Sequence, residues 1–123
     1  MPYRKYNANP RNNSVTDCFI RSLAVVTDES WDYTYNKISD IAQWEGTTMD
    51  NRDFILEYLD RRYKRVPFVE EYIGEFAENH PRGRYLITTK GHIVACVDGY
   101  IIDSWDSRYR KIEYVWKIGQ KSS

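Results

Sequence analysis

The chain has 123 residues, and its 18 Lys and Arg balance its 18 Asp and Glu, so no net charge draws it to nucleic acid or an acidic membrane surface. Two cysteines, Cys18 and Cys96, are too few for a disulfide framework, and without any CxxC spacing they form no zinc pattern. Residues 1–6 lack the apolar stretch of a signal peptide and no later run reaches the length of a membrane span; the expectation is one soluble domain over residues 1–123, in the reducing cytoplasm.

Residues 1–13 contain Pro2, Pro10 and several asparagines, and read as an extended lead-in that delivers Asn12 and Asn13 to a first helix. Thr16 or Asp17 can cap that helix, and Phe19, Ile20, Leu23 and Ala24 recur at the spacing of one buried face before an end near Thr27 and Asp28. Ser30 caps a second helix whose inner face is Trp31, Ile38, Ile41 and Ala42 and which stops at Gly46. Thr48 or Asp50 opens a third, with Phe54, Ile55, Tyr58 and Leu59 inward and Arg61, Arg62 and Lys64 at the negative end of its dipole. A short strand at 65–69 and a helix at 70–79 precede the break at His80, Pro81, Arg82 and Gly83.

The second half is β-rich. Arg84–Thr89, His92–Val97, Tyr100–Asp103 and residues 111–118 are predicted strands, separated by Lys90-Gly91, Asp98-Gly99 and the polar stretch 104–110. Asp98-Gly99 is the strongest turn signal, and the expected product is an antiparallel meander of about four strands. Helices followed by strands define an α+β fold.

Chemistry points first to Cys18. It opens a buried helix, where free N–H groups and the positive dipole end favour thiolate, the nucleophilic form. A thiol nucleophile needs a base, and that base needs an orienting partner. Of the two histidines, His80 lies in a polar connection and reads as a solvated loop residue, whereas His92 opens a core strand. Positions 92 and 103 are nearly equidistant from the Asp98-Gly99 turn, so hairpin pairing returns Asp103 beside His92. Cys96, among Val94, Ala95 and Val97, reads as a packed core thiol. The basic run at 61–65 reads as a solvated helix end rather than a phosphate site.

The order Cys18, His92, Asp103, with the cysteine on an early helix and the others on a following antiparallel sheet, resembles the papain-like cysteine peptidase superfamily over most of the chain. It is most similar to compact branches such as bacteriocin-leader peptidases and Josephin-type deubiquitinases, and to small phage and bacterial proteins with Asp-Cys and Gly-His motifs. Asn12 and Asn13, six and five residues before Cys18, stand where the family places an oxyanion amide, usually Gln. Gly91-His92-Ile93-Val94 matches the strand that carries the base, and Asp103-Ser104-Trp105 matches an orienting residue followed two positions later by a shielding tryptophan.

The resemblance implies a papain-like fold with helices packed on the sheet. It also implies a thiol hydrolase acting on peptide or isopeptide bonds, with Cys18 as nucleophile, His92 as base and acid, Asp103 as orienting group, and Asn12 or Asn13 at the oxyanion. A peptide or protein is the substrate, and neither metal nor organic cofactor is called for. Acyl transfer to an amine uses the same triad. Asp17 stands where the family has a small residue, and Asn is one methylene shorter than Gln; both suit an alternative, a catalytically silent domain of the same fold that binds and modulates a partner protein.

Overall fold

The computed structural model describes residues 3–6, 18–103 and 106–119. The helices come first. Helix α1, Cys18–Thr27, buries Phe19, Ile20, Leu23 and Ala24 as expected, and also Ser22 and Val26, so it is enclosed on most sides. Its caps, Thr16 or Asp17, lie outside the described residues. Helix α2, Trp31–Trp44, starts where Ser30 accepts the Tyr33 N–H at 3.1 Å and buries Trp31, Thr34, Ile38 and Ala42. It ends at Gly46, whose φ of +73° lets the Gly46 and Thr47 N–H groups turn back to the carbonyls of Gln43 and Ala42.

Helix α3, Arg52–Arg62, is capped by neither Thr48 nor Asp50. The Thr48 hydroxyl is spent on the Asp50 carboxylate at 2.8 Å, and Asn51 instead accepts the Phe54 N–H at 3.0 Å. Helix α4, Ile73–Asn79, is shorter than the predicted 70–79, because Tyr72 bridges to Lys111 and the Glu71 carbonyl accepts the Ile112 N–H at 2.9 Å. Those same pairings draw 111 and 112 away from the sheet.

The described residues form a mixed sheet of six strands rather than a four-stranded meander. Strands β3 (Arg84–Thr89), β4 (His92–Val97) and β5 (Tyr100–Asp103) have the expected bounds, and β6 covers only Tyr114–Ile118. Two further strands sit at the edges: β1, Tyr3–Lys5, which was not expected, runs parallel to β5, and β2, Lys64–Arg65, shares only Arg65 with the strand expected at 65–69 and runs antiparallel to β6. Three and two residues are too few to show any periodicity. The sheet order is β1-β5-β4-β3-β6-β2. β1 occupies the outer edge of β5 and β6 pairs with β3, which gives the four longer strands a Greek-key order.

Alternation along the strands sends Leu86, Ile93, Ala95, Trp116 and Ile118 against α1, α2 and α3. The opposite face, with Tyr85, Ile87, Val94, Cys96, Ile101 and Val115, packs on Ile73, Phe76 and Ala77 of α4. Coverage of both faces explains why β3 and β4 are buried at most positions, the threonines Thr88 and Thr89 included. The result is an α+β architecture with N-terminal helices and C-terminal strands. No helix among the described residues is long and apolar enough to cross a membrane.

Candidate active site

The Asp98-Gly99 turn builds one half of the site. Both residues have positive φ, 50° and 82°, as a two-residue hairpin of right-handed twist requires, and Val97 pairs with Tyr100 across it. The turn is braced by Gly83, whose N–H donates to the Asp98 carboxylate at 3.0 Å while its carbonyl accepts the Asp98 N–H at 2.8 Å. With that register, His92 begins β4 and Asp103 ends β5 at the same end of the sheet. The His92 Nε2 and Asp103 Oδ2 are 2.6 Å apart, and both side chains are more than nine-tenths buried.

Helix α1 supplies the other half. Cys18, its first described residue, is half-buried, and its side chain lies close enough to the His92 ring to raise that ring's pKa. The ring's Nε2 is turned to Asp103. Two side-chain bonds hold this helix on the sheet. Ser22, one turn after Cys18, donates its hydroxyl to the Ile93 carbonyl at 2.9 Å, and Arg84 donates to the Val26 carbonyl at 3.0 Å.

The electrostatics follow from the contacts. Burial by itself pulls the His92 imidazolium toward a lower pKa, but hydrogen bonds from Asp103 and Cys18, with the charges behind them, outweigh it and push the pKa up to about 9. At neutral pH the ring therefore carries two protons. Tyr3, whose hydroxyl approaches the Asp103 carbonyl at 3.4 Å, has its phenol pKa raised by burial and by Asp103 and Asp106.

Cys96 is fully buried, and burial pushes its thiol up to about 12. His80 is a half-buried capping residue of α4 rather than a solvated loop residue. Its Nδ1 donates to the Phe76 carbonyl at 2.8 Å, and its ring stacks on Phe76 with centroids 3.7 Å apart. In the basic run, Arg61 pairs with Glu57, Arg62 lies 3.9 Å over the Tyr58 ring, and Arg65 is bidentate to Asp60 at 2.8 and 2.9 Å. Asn12, Asn13, Asp17, Ser104 and Trp105 lie outside the described residues.

A cavity of about 940 Å³ opens beside the Cys18–His92 pair, between α1, the start of α2, the approach to α3 and the β3–β4 turn. Its wall is largely apolar, with Trp31 stacked on Tyr35 at 4.9 Å and Met49, Ile55 and Leu56 opposite; Asp32, Asp50, Arg52 and Lys90 add charge of both signs.

Two residues of the site escape sequence reasoning. Ser22 looks like filler within an apolar helix, although a polar residue one turn after the cysteine on a buried face is a usable signal. Ser107, which donates to Asp103 Oδ2 at 3.0 Å, is indistinguishable in sequence from other polar residues of 104–110. No family model, curated protein or solved structure matches the chain.

Proposed function

We propose that the protein is a papain-like thiol hydrolase acting on peptide or isopeptide bonds, with Cys18 as nucleophile, His92 as general acid and base, and Asp103 as the group that orients His92. The observation that carries this reading is the buried His92–Asp103 hydrogen bond with Cys18 beside the same ring, both Cys18 and His92 lining a large apolar cavity.

For attack, His92 holds the proton of the Cys18 thiol and the sulfur carries the negative charge. The sulfur attacks the carbonyl carbon of the scissile bond, and the C=O π pair moves to oxygen. The backbone N–H of Cys18, joined by Asn12 or Asn13, receives that oxyanion. As the C–N bond breaks, the imidazolium gives a proton to the leaving amine, and an acyl-thioester remains. Water then gives a proton to the neutral ring and adds to the thioester carbonyl; the acid leaves and the thiolate–imidazolium pair is restored. Through both steps Asp103 keeps the ring oriented and stabilises its charged form. An amine in place of water makes the same cycle an acyl transfer.

Treating the folded protein with a peptidyl electrophile that captures thiol nucleophiles tests the reading. Stoichiometric labelling of Cys18, abolished by His92→Ala, is the expected result. Cys18 labelling that is indifferent to His92, in a protein that still binds a partner, replaces this reading with that of a silent binding domain.

A further inference from the structure

Asp103 is held through both its backbone carbonyl and its carboxylate. Its backbone carbonyl accepts the Tyr6 N–H at 2.7 Å, and its buried carboxylate oxygen Oδ2 accepts from both His92 Nε2 at 2.6 Å and Ser107 Oγ at 3.0 Å. Ser107 is fully buried, so its hydroxyl bond is made away from water. The segment that carries it is itself anchored. The carbonyls of Arg108 and Arg110 accept the N–H groups of Gly74 and Ile73 at 2.9 and 3.0 Å, at the start of α4, and the Ser107 carbonyl accepts the Arg110 N–H at 3.1 Å.

We infer that Ser107 is a positioning residue of this site: its hydroxyl sets the Asp103 carboxylate and shares the charge on the one oxygen that faces His92. The inference rests on the thiol-hydrolase reading for its catalytic meaning. A base that must surrender its proton to a leaving amine and then take one from water works poorly if a buried carboxylate holds that proton too tightly. A second donor on Oδ2 spreads the carboxylate charge and loosens its hold on the ring. Among the described residues, the titratable groups facing the pair are Cys18 from α1 and Tyr3 from β1, with Asp106 and Arg108 beyond Tyr3, joined to each other at 2.7 Å. Removal of the Ser107 hydroxyl changes none of these.

The test is the pH titration of the His92 ring by NMR, in the native protein and in Ser107→Ala and Ser107→Cys, alongside the pH dependence of Cys18 alkylation by iodoacetamide. In Ser107→Ala the His92 midpoint moves upward by roughly half to one pH unit, a three- to tenfold gain in proton affinity, and Ser107→Cys, with its weak S–H donor, falls between. A midpoint unmoved or moved downward in folded Ser107→Ala overturns the inference. If that variant does not fold, Ser107→Cys decides, with the same upward direction expected and an unmoved midpoint overturning it. The NMR readout needs no substrate. Alkylation of Cys18 that is unaltered by His92→Gln defeats the hydrolase reading, while the effect of Ser107 on His92 is still decided by the titration.

Discussion

The Ser22 hydroxyl bonds the Ile93 carbonyl at 2.9 Å, which ties the helix turn after Cys18 to the residue after His92. Cys18 and His92, the proposed nucleophile and base, come from segments more than seventy residues apart, and this buried bond braces one segment against the other. Ser22→Ala strands the Ile93 carbonyl and is expected to cost about 1 to 3 kcal/mol of stability in urea denaturation. It should also slow alkylation of Cys18 in the folded protein. Unchanged thiol reactivity with lowered stability would reduce Ser22 to a packing role.

The two thiols should differ sharply. Cys18 is half-exposed beside a protonated ring, whereas Cys96 is sealed in the sheet with its pKa pushed up to about 12 by burial. Mass spectrometry after brief iodoacetamide treatment near neutral pH should find the label on Cys18 alone. Equal labelling in the folded state contradicts the assignment of Cys18.

Stability should depend on pH through His92. The folded pKa of about 9 lies above the ordinary value of 6.5, so the folded state holds the extra proton more tightly than the unfolded chain. The resulting stabilisation is fully present below about pH 6.5 and is lost as pH rises through about 9. Urea midpoints measured across that window should fall with rising pH. His92→Gln should flatten the decline, and a parallel decline in that variant assigns the effect to other groups.

A graded mutational series distinguishes catalysis from binding. Cys18→Ala leaves a small residue that the helix accepts, with a stability loss of no more than about 1 to 2 kcal/mol, and abolishes bond cleavage. His92→Ala should be nearly as severe in activity. Asp103→Asn should be milder, since an amide oxygen still accepts the imidazole N–H. The rank order is read from peptide hydrolysis rates, and full activity in Cys18→Ala rules out the thiol mechanism.

Gly99 is the hinge on which the His92–Asp103 pairing turns. Its φ is +82°, and an added Cβ meets the Pro81 Cα at 3.2 Å and the Ala77 carbonyl oxygen at 3.4 Å. Gly99→Ala therefore meets both backbone strain and a tight contact, and should destabilise the fold by about 1 kcal/mol or more. Calorimetry should show a lowered Tm, and an unchanged Tm would mean the turn relaxes freely.

The sequence alone carried the local decisions. Apolar spacing marked α1 and the inner face of α2, Ser30 and Gly46 marked the limits of α2, and Asp98-Gly99 marked the turn that makes β4 and β5 a hairpin. Each depends on groups within a few residues of one another. The nearness of His92 and Asp103 was legible for the same reason, since a two-residue turn sets the register of both arms.

Tertiary structure decided what depends on distant partners. Strand β1 is recognisable only by its pairing with β5, the expected strand at 65–69 is cut to Lys64–Arg65 by its pairing with β6, and β6 pairs with β3 while β1 lies on the far side of β5. Asn51 rather than Thr48 or Asp50 caps α3, because the latter two satisfy each other. The bonds from Ser22 to Ile93 and from Ser107 to Asp103 belong to the same class. A serine has no periodicity and no fixed partner, so its role appears only when folding buries the hydroxyl and brings an acceptor to it.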